Sequence, residues 1–148
     1  MKDFIEIEKT NKYFKIEEAE KHLPKIEKLL RRLMHLDRAI ELLDTVEIEV
    51  EEEDYACLRH ITRLNKEFHK LSYEFYEKLD EIESLGCVIK DIELGLVDFY
   101  YRFENRDIFL CWKLGEKEIR YWHEAYDGFE GRKLILNLAK NKQLHSDF

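Results

Sequence analysis

The stretch Cys87–Glu124, CVIKDIELGLVDFYYRFENRDIFLCWKLGEKEIRYWHE, decides the fold. Within it CVIKDI, LVDFYYRF, IFLCWKL and IRYWHE alternate apolar and polar residues and are rich in β-branched and aromatic types, so each reads as a strand. ELG, ENRD and GEKE separate them at hairpin-turn lengths. The expected unit is an antiparallel meander of three or four strands.

Upstream the texture differs. The first 85 residues contain no glycine, whereas all five glycines lie from Gly86 onward. From about Glu17 to Asp44, Ala19, Leu23, Ile26, Leu30, Leu33, Ile40 and Leu43 fall on one helical stripe. Pro24 interrupts it and predicts a kink or a short first turn. From about Glu53 to Leu85 a second stripe holds Leu58, Ile61, Leu64, Phe68, Leu71, Phe75, Leu79 and Ile82, and Gly86 ends it. Two such helices joined by a short link fold back as an antiparallel hairpin. The link VEIEVEEED, Val46 to Asp54, holds six acids. Its Val46, Ile48 and Val50 alternate, as does FIEIE near the N-terminus, so these segments are candidates to pair as strands or to remain loop. The tail KLILNLAKNK suits a short closing helix. The reading is one α+β domain over residues 1–148, with a helical hairpin over 13–85 and an antiparallel sheet over 86–148.

Composition bounds the function. The chain has 148 residues, 39% of them charged, and a net charge of −8. That balance disfavours a nucleic-acid backbone as main partner. The charge is uneven, at −7 over residues 1–85 and −1 over residues 86–148, so an anionic ligand fits better in the second part. Abundant Glu and Lys with a single Gln resemble a thermophile-like composition. Cys57, Cys87 and Cys111 form no CxxC pair, and reduced thiols in the cytosol are the expectation. No apolar signal core and no membrane span are present, so a cytoplasmic protein is expected.

Ten of the nineteen aromatic residues lie between Gly95 and Arg132. Among them stand Asp98, Cys111, Glu116, Arg120, His123, Glu124 and Arg132. Asp98 shares a strand face with Tyr100 and Arg102, and Cys111 shares one with Phe109 and Lys113. A two-residue turn at Asn105–Arg106 would set Asp98 opposite Lys113 and diagonal to Cys111. A two-residue turn at Glu116–Lys117 would send His123 to the other face, and a three-residue turn using Gly115 would bring it to Cys111.

The motifs YFKIEEAEKHLPKI, GLVDF, LCWKLGE, IRYWHE and GFEGR resemble a family of uncharacterised prokaryotic proteins catalogued as domain of unknown function twenty-two-oh-three. The resemblance spans most of the chain and implies a small cytoplasmic protein of bacteria or archaea, with no reaction attached. Lys15 stands where the family pattern more often has Thr, and the acidic link is longer than the usual connection.

Three functional readings stay open. In the first, Asp98, Cys111, His123 and Glu124 or Glu116 hold a divalent metal such as zinc. In the second, Cys111 is a nucleophile with His123 as base and Asp98 as its orienter. In the third, Arg132, Arg120 and His123 bind a small anion, with Gly128 and Gly131 letting the GFEGR loop approach it. Against all three stands a structural role, with Asp98 pairing Lys113 or Arg102. The rival class is an interaction or homodimerisation module working through the helical hairpin. His22, His35, His60 and His69 lie on helices without ligand spacing.

Overall fold

A computed structural model of the chain describes residues 11–46, 54–136 and 138. Helices α1 (Ile16–Asp44) and α2 (Tyr55–Ser84) precede strands β1 (Val88–Asp91), β2 (Leu96–Phe103), β3 (Arg106–Lys113), β4 (Tyr121–Glu124) and β5 (Lys133–Leu134). The strands form one antiparallel sheet in the order β1-β2-β3-β4-β5. The α+β reading holds. The sheet has five strands instead of the three or four expected, and the fifth forms where the chain after the GFEGR loop returns to pair with β4 over two residues. The FIEIE segment and most of the acidic link lie outside the described residues. So does most of the tail, of which Ile135, Leu136 and Leu138 are helical.

Helix α1 begins without a side-chain cap at Lys15. Its start is instead secured by the chain before it. The Phe14 amide donates to the Tyr100 carbonyl at 2.9 Å, and the buried Phe14 ring meets Phe99 edge-on at 5.2 Å. The helix runs on through Pro24, so that residue marks no boundary. Helix α2 is capped by Asp54, whose side chain accepts from the Cys57 amide at 2.7 Å. It ends before Gly86, whose φ of +99° closes the turn into β1. A Cβ there would lie 2.9 Å from the Lys12 side chain, so glycine also permits the first described residues to pass.

The core lies between the helices and one face of the sheet. Ala19, Leu23, Ile26, Leu30 and Leu33 of α1 pack with Val97, Phe99, Leu110, Trp112 and Trp122. Helix α2 joins this core only towards its end, through Ile82 with the partly buried Phe75 and Leu79. The rest of its stripe is less covered than the periodicity implies, and Leu58 is 53% exposed. Among the described residues, the end of α1 and the start of α2 face each other there.

Two turns set the strand registers, and both differ from expectation. The β2–β3 hairpin turns at Glu104–Asn105, with φ of 50° and 59°, not at Asn105–Arg106. Positive φ at both central residues is the primed-turn geometry that suits strand twist, and Asn tolerates it better than Arg. Arg106 is thereby freed to start β3, where its guanidinium meets the Glu124 carboxylate at 2.8 and 3.2 Å. Asp98 consequently lies directly opposite Cys111, and Lys113 faces Leu96 instead. The β3–β4 connection is no tight turn but the loop 114–120. Glu116 organises it by accepting the Lys113 amide at 2.6 Å, while its carbonyl accepts the Trp112 indole N–H at 2.8 Å. Ile119 leaves the expected strand and drops into the core.

Candidate metal centre

Alternation along β2 sends Val97 and Phe99 to the helices and Asp98 to the opposite, outer face. Cys111 follows by direct pairing with Asp98. The loop 114–120 then pairs Cys111 with Tyr121 and Phe109 with His123, so His123 falls on the same face. The His123 Nε2 lies 2.9 Å from Asp98 Oδ2, and its Nδ1 lies 2.8 Å from the Glu124 carbonyl. One ligand atom from each of Asp98, Cys111 and His123 lies within 4.8 Å of the others. All three are buried, at 1%, 2% and 3% exposure. Among the described residues no other group of three or more such donors converges.

The outer face of a one-sided sheet would normally be wet. Here the loop after β4 covers it. That loop is fixed by the Asp127 amide on the Glu124 carbonyl at 3.0 Å and by a single 3₁₀ turn at Phe129–Gly131. Arg132 fastens it to the sheet. Its guanidinium stacks over Tyr121 at 3.9 Å and Phe129 at 4.9 Å, and donates to Glu116 Oε1 at 2.6 Å and to the Cys111 carbonyl at 3.3 Å. Gly131 is required by close approach, since a Cβ there would lie 2.6 Å from the Asp127 Cβ. Gly128 meets no such obstacle. Between loop and sheet a pocket of about 130 Å³ is lined by Lys90, Leu96, Asp98, Cys111, His123, Asp127, Gly128 and Phe129.

The electrostatics follow from burial and contact. Burial pushes the His123 pKa down, but the bonds to Asp98, to Cys111 and to the Glu124 carbonyl, together with the Asp98 charge, outweigh it and carry it up to about 10. Burial raises the Cys111 thiol, and the neighbouring Asp98 charge adds to that, against the lowering by His123 and Arg132. The carbonyl acceptor requires Nδ1 to carry a proton, so a neutral His123 would present its lone pair at Nε2. Asp98 uses one carboxylate oxygen on His123, while Oδ1 is buried without a hydrogen-bond partner. Such an orphan acceptor in a buried site calls for a reason.

Of the residues singled out in the sequence, Asp98, Cys111 and His123 come together. Glu124 does not, because it pairs with Ile108 on the helix face, where Arg106 holds its carboxyl below the usual range. Glu116 and Arg132 bind each other at the rim. Arg120 is exposed and pairs with Glu118 at 3.0 Å. Asp98 pairs with neither Lys113 nor Arg102, and the latter bonds Asp107 at 3.0 Å. In a thiol–imidazole–carboxylate relay, thiol and carboxylate take opposite ring nitrogens. Here Asp98 takes Nε2 and a backbone carbonyl takes Nδ1.

Sequence reasoning passed over Lys90 and Asp127, which also line the pocket. Asp127 immediately precedes GFEGR, and that adjacency was its signal. Lys90 had none, because it stands at a β-bulge: Ile89 pairs with Val97 and Asp91 with Leu96. A bulge re-aims a side chain that alternation cannot place.

Compared with known proteins, residues 12–135 match the model of a family described as an uncharacterized conserved protein, DUF2203. No curated protein and no solved structure matches the chain. Among the described residues no helix is long and apolar enough to cross a membrane.

Proposed function

We propose that this chain, which belongs to the uncharacterised conserved family DUF2203, binds one divalent metal ion of the zinc type through Asp98, Cys111 and His123. The observation that carries the reading is the convergence of a carboxylate oxygen, a thiol and an imidazole nitrogen, all buried, within 4.8 Å. That mixed oxygen, sulfur and nitrogen set suits zinc or a similar ion. The unpartnered Asp98 Oδ1 gains a reason under it. So does the Glu124 carbonyl, which fixes the ring through Nδ1 and leaves Nε2 for the ion, as outer-shell partners of zinc-bound histidines do. Tetrahedral zinc with bonds of about 2.0–2.3 Å spaces its ligand atoms roughly 3.3–3.8 Å apart. The 2.9 Å contact between His123 and Asp98 must therefore open slightly as metal replaces the shared proton. Metal uptake also takes the thiol proton, so binding strengthens as pH rises.

The test is native mass spectrometry with elemental analysis of the protein and its His123→Ala variant, followed by zinc titration of both. We expect one metal per wild-type chain and an affinity loss of at least about 100-fold in the variant, beyond the effect typical of outer-shell changes. Cys111→Ser, a smaller change, supplies a folded control if His123→Ala does not fold. Wild-type protein that holds no stoichiometric metal would overturn the reading, as would variants that hold it equally well.

A second reading rests on a separate observation. Beyond the core, the described residues of the hairpin leave a groove of mixed character lined by Leu43, Asp44, Val46, Ile61, Leu64, Asn65 and Phe68. A second copy laid against it would complete a four-helix bundle. Sedimentation of wild type against Phe68→Glu tests this. A dimer split into folded monomers supports it, and a wild-type monomer refutes it.

A further inference from the structure

We infer that the open position of this centre is a binding site for a small oxyanion carrying an acidic proton, of the bicarbonate or hydrogen phosphate kind, held between Lys90 and Asp127. The inference rests on the metal reading above. Three protein ligands leave a tetrahedral ion one position short, which is the arrangement of zinc sites that take water or substrate. Asp127 lines the pocket but stands outside the cluster of three donors, so it does not close the ion's shell. The three donors project from the outer face of the sheet, and the free position therefore looks away from the strands. That side holds the pocket of about 130 Å³ beneath the loop.

Size and charge narrow the occupant. Pockets for drug-sized ligands span roughly 300–1,000 Å³. This one holds a group of a few heavy atoms. With the Asp98 carboxylate and a Cys111 thiolate as ligands, a divalent ion is neutralised at its own shell. The remaining charges lining the space are then one cation, Lys90, and one anion, Asp127. An anionic oxygen is suited to the metal and Lys90, and Asp127 accepts a hydrogen bond from a protonated oxygen of the same molecule. Acetate lacks that proton, so it meets Asp127 as a like charge.

Both gripping residues are positioned by local structure. The β1 bulge brings Lys90 to the pocket, where its Nζ lies 4.8 Å from the centre of the Phe109 ring. The absence of a side chain at Gly131 leaves room for Asp127. Leu96 and Phe129 add apolar walls that limit water around the ligand. Arg132 is committed to Glu116, whereas Lys90 forms no ion pair among the described residues.

The test uses the full chain loaded with Co(II), which takes the same donor types as zinc and reports its shell by visible absorption. Sodium bicarbonate and inorganic phosphate are titrated in, with acetate as comparison. We expect a saturable spectral change with at least one of the first two and weaker binding of acetate. Lys90→Met should weaken the anion at least tenfold with Co(II) affinity unchanged. Asp127→Asn should narrow the gap between that anion and acetate. A cobalt spectrum blind to all three anions would overturn this site alone, as would Lys90→Met binding as tightly as wild type. Failure to take up cobalt would overturn the metal centre and this site with it.

Discussion

The two faces of the sheet are both buried at their centres, for opposite reasons. The inner face carries Val97, Phe99, Leu110, Trp112 and Trp122 and is covered by a helix. The outer face carries Asp98, Cys111 and His123, and is covered by one short loop fastened through Arg132. Burial of the first releases apolar surface from water and stabilises the fold. Burial of the second desolvates an ion pair and a thiol, which costs stability unless every polar group is satisfied. One Asp98 oxygen is not satisfied. The difference separates the face that makes the fold from the face that, on the metal reading proposed above, holds an ion.

Three changes break or sharpen this comparison. The largest effect is expected from Phe99→Ala on the inner face, where a fully buried ring is removed and the cost is about 3–5 kcal/mol of unfolding free energy. Denaturant unfolding measures it, and a loss under about 1 kcal/mol would mean that the inner face is not the stabilising one. Arg132→Ala should act on the outer face alone. Its loss of hydrogen bonds at Glu116 and Cys111 should cost about 1–3 kcal/mol. Amide exchange should speed up in residues 125–132 while the β2 core amides stay protected. Uniform acceleration through β2 would show that the loop is not a separable cover.

The third change is in pH, read on the metal-free protein. His123 has its folded pKa raised from 6.5 to about 10. The stability it contributes as a charged partner of Asp98 is fully present below its unfolded value and is lost as pH rises through the folded value. Thermal unfolding should therefore weaken between pH 7 and pH 10 in wild type and do so less in Asp98→Asn. Parallel profiles for the two proteins would mean that the pair is not ionised in the folded state.

The inner face was legible in the sequence because periodicity reports burial directly. Phe99 and Asp98 were assigned to opposite faces by alternation alone, and the helix stripes found Ala19 to Leu33. Helix α2 was less well read, since periodicity cannot say how far the sheet extends beneath a helix. The outer site was legible as a set of residue types but not as a geometry. Whether Asp98 lay beside Cys111 depended on a one-residue difference at Glu104–Asn105. Whether His123 joined them depended on the length of the loop 114–120, which Glu116 holds through contacts beyond its neighbours in sequence. Lys90 depended on a bulge. Each is a local backbone choice settled by tertiary contacts, which single-chain patterning does not contain.

X-ray absorption at the zinc edge of the zinc-loaded protein tests the central claim most directly. The account predicts one sulfur at about 2.3 Å with nitrogen and oxygen at about 2.0–2.2 Å, and loss of the sulfur shell in Cys111→Ser. A spectrum with no sulfur, or one unchanged by that substitution, would contradict it.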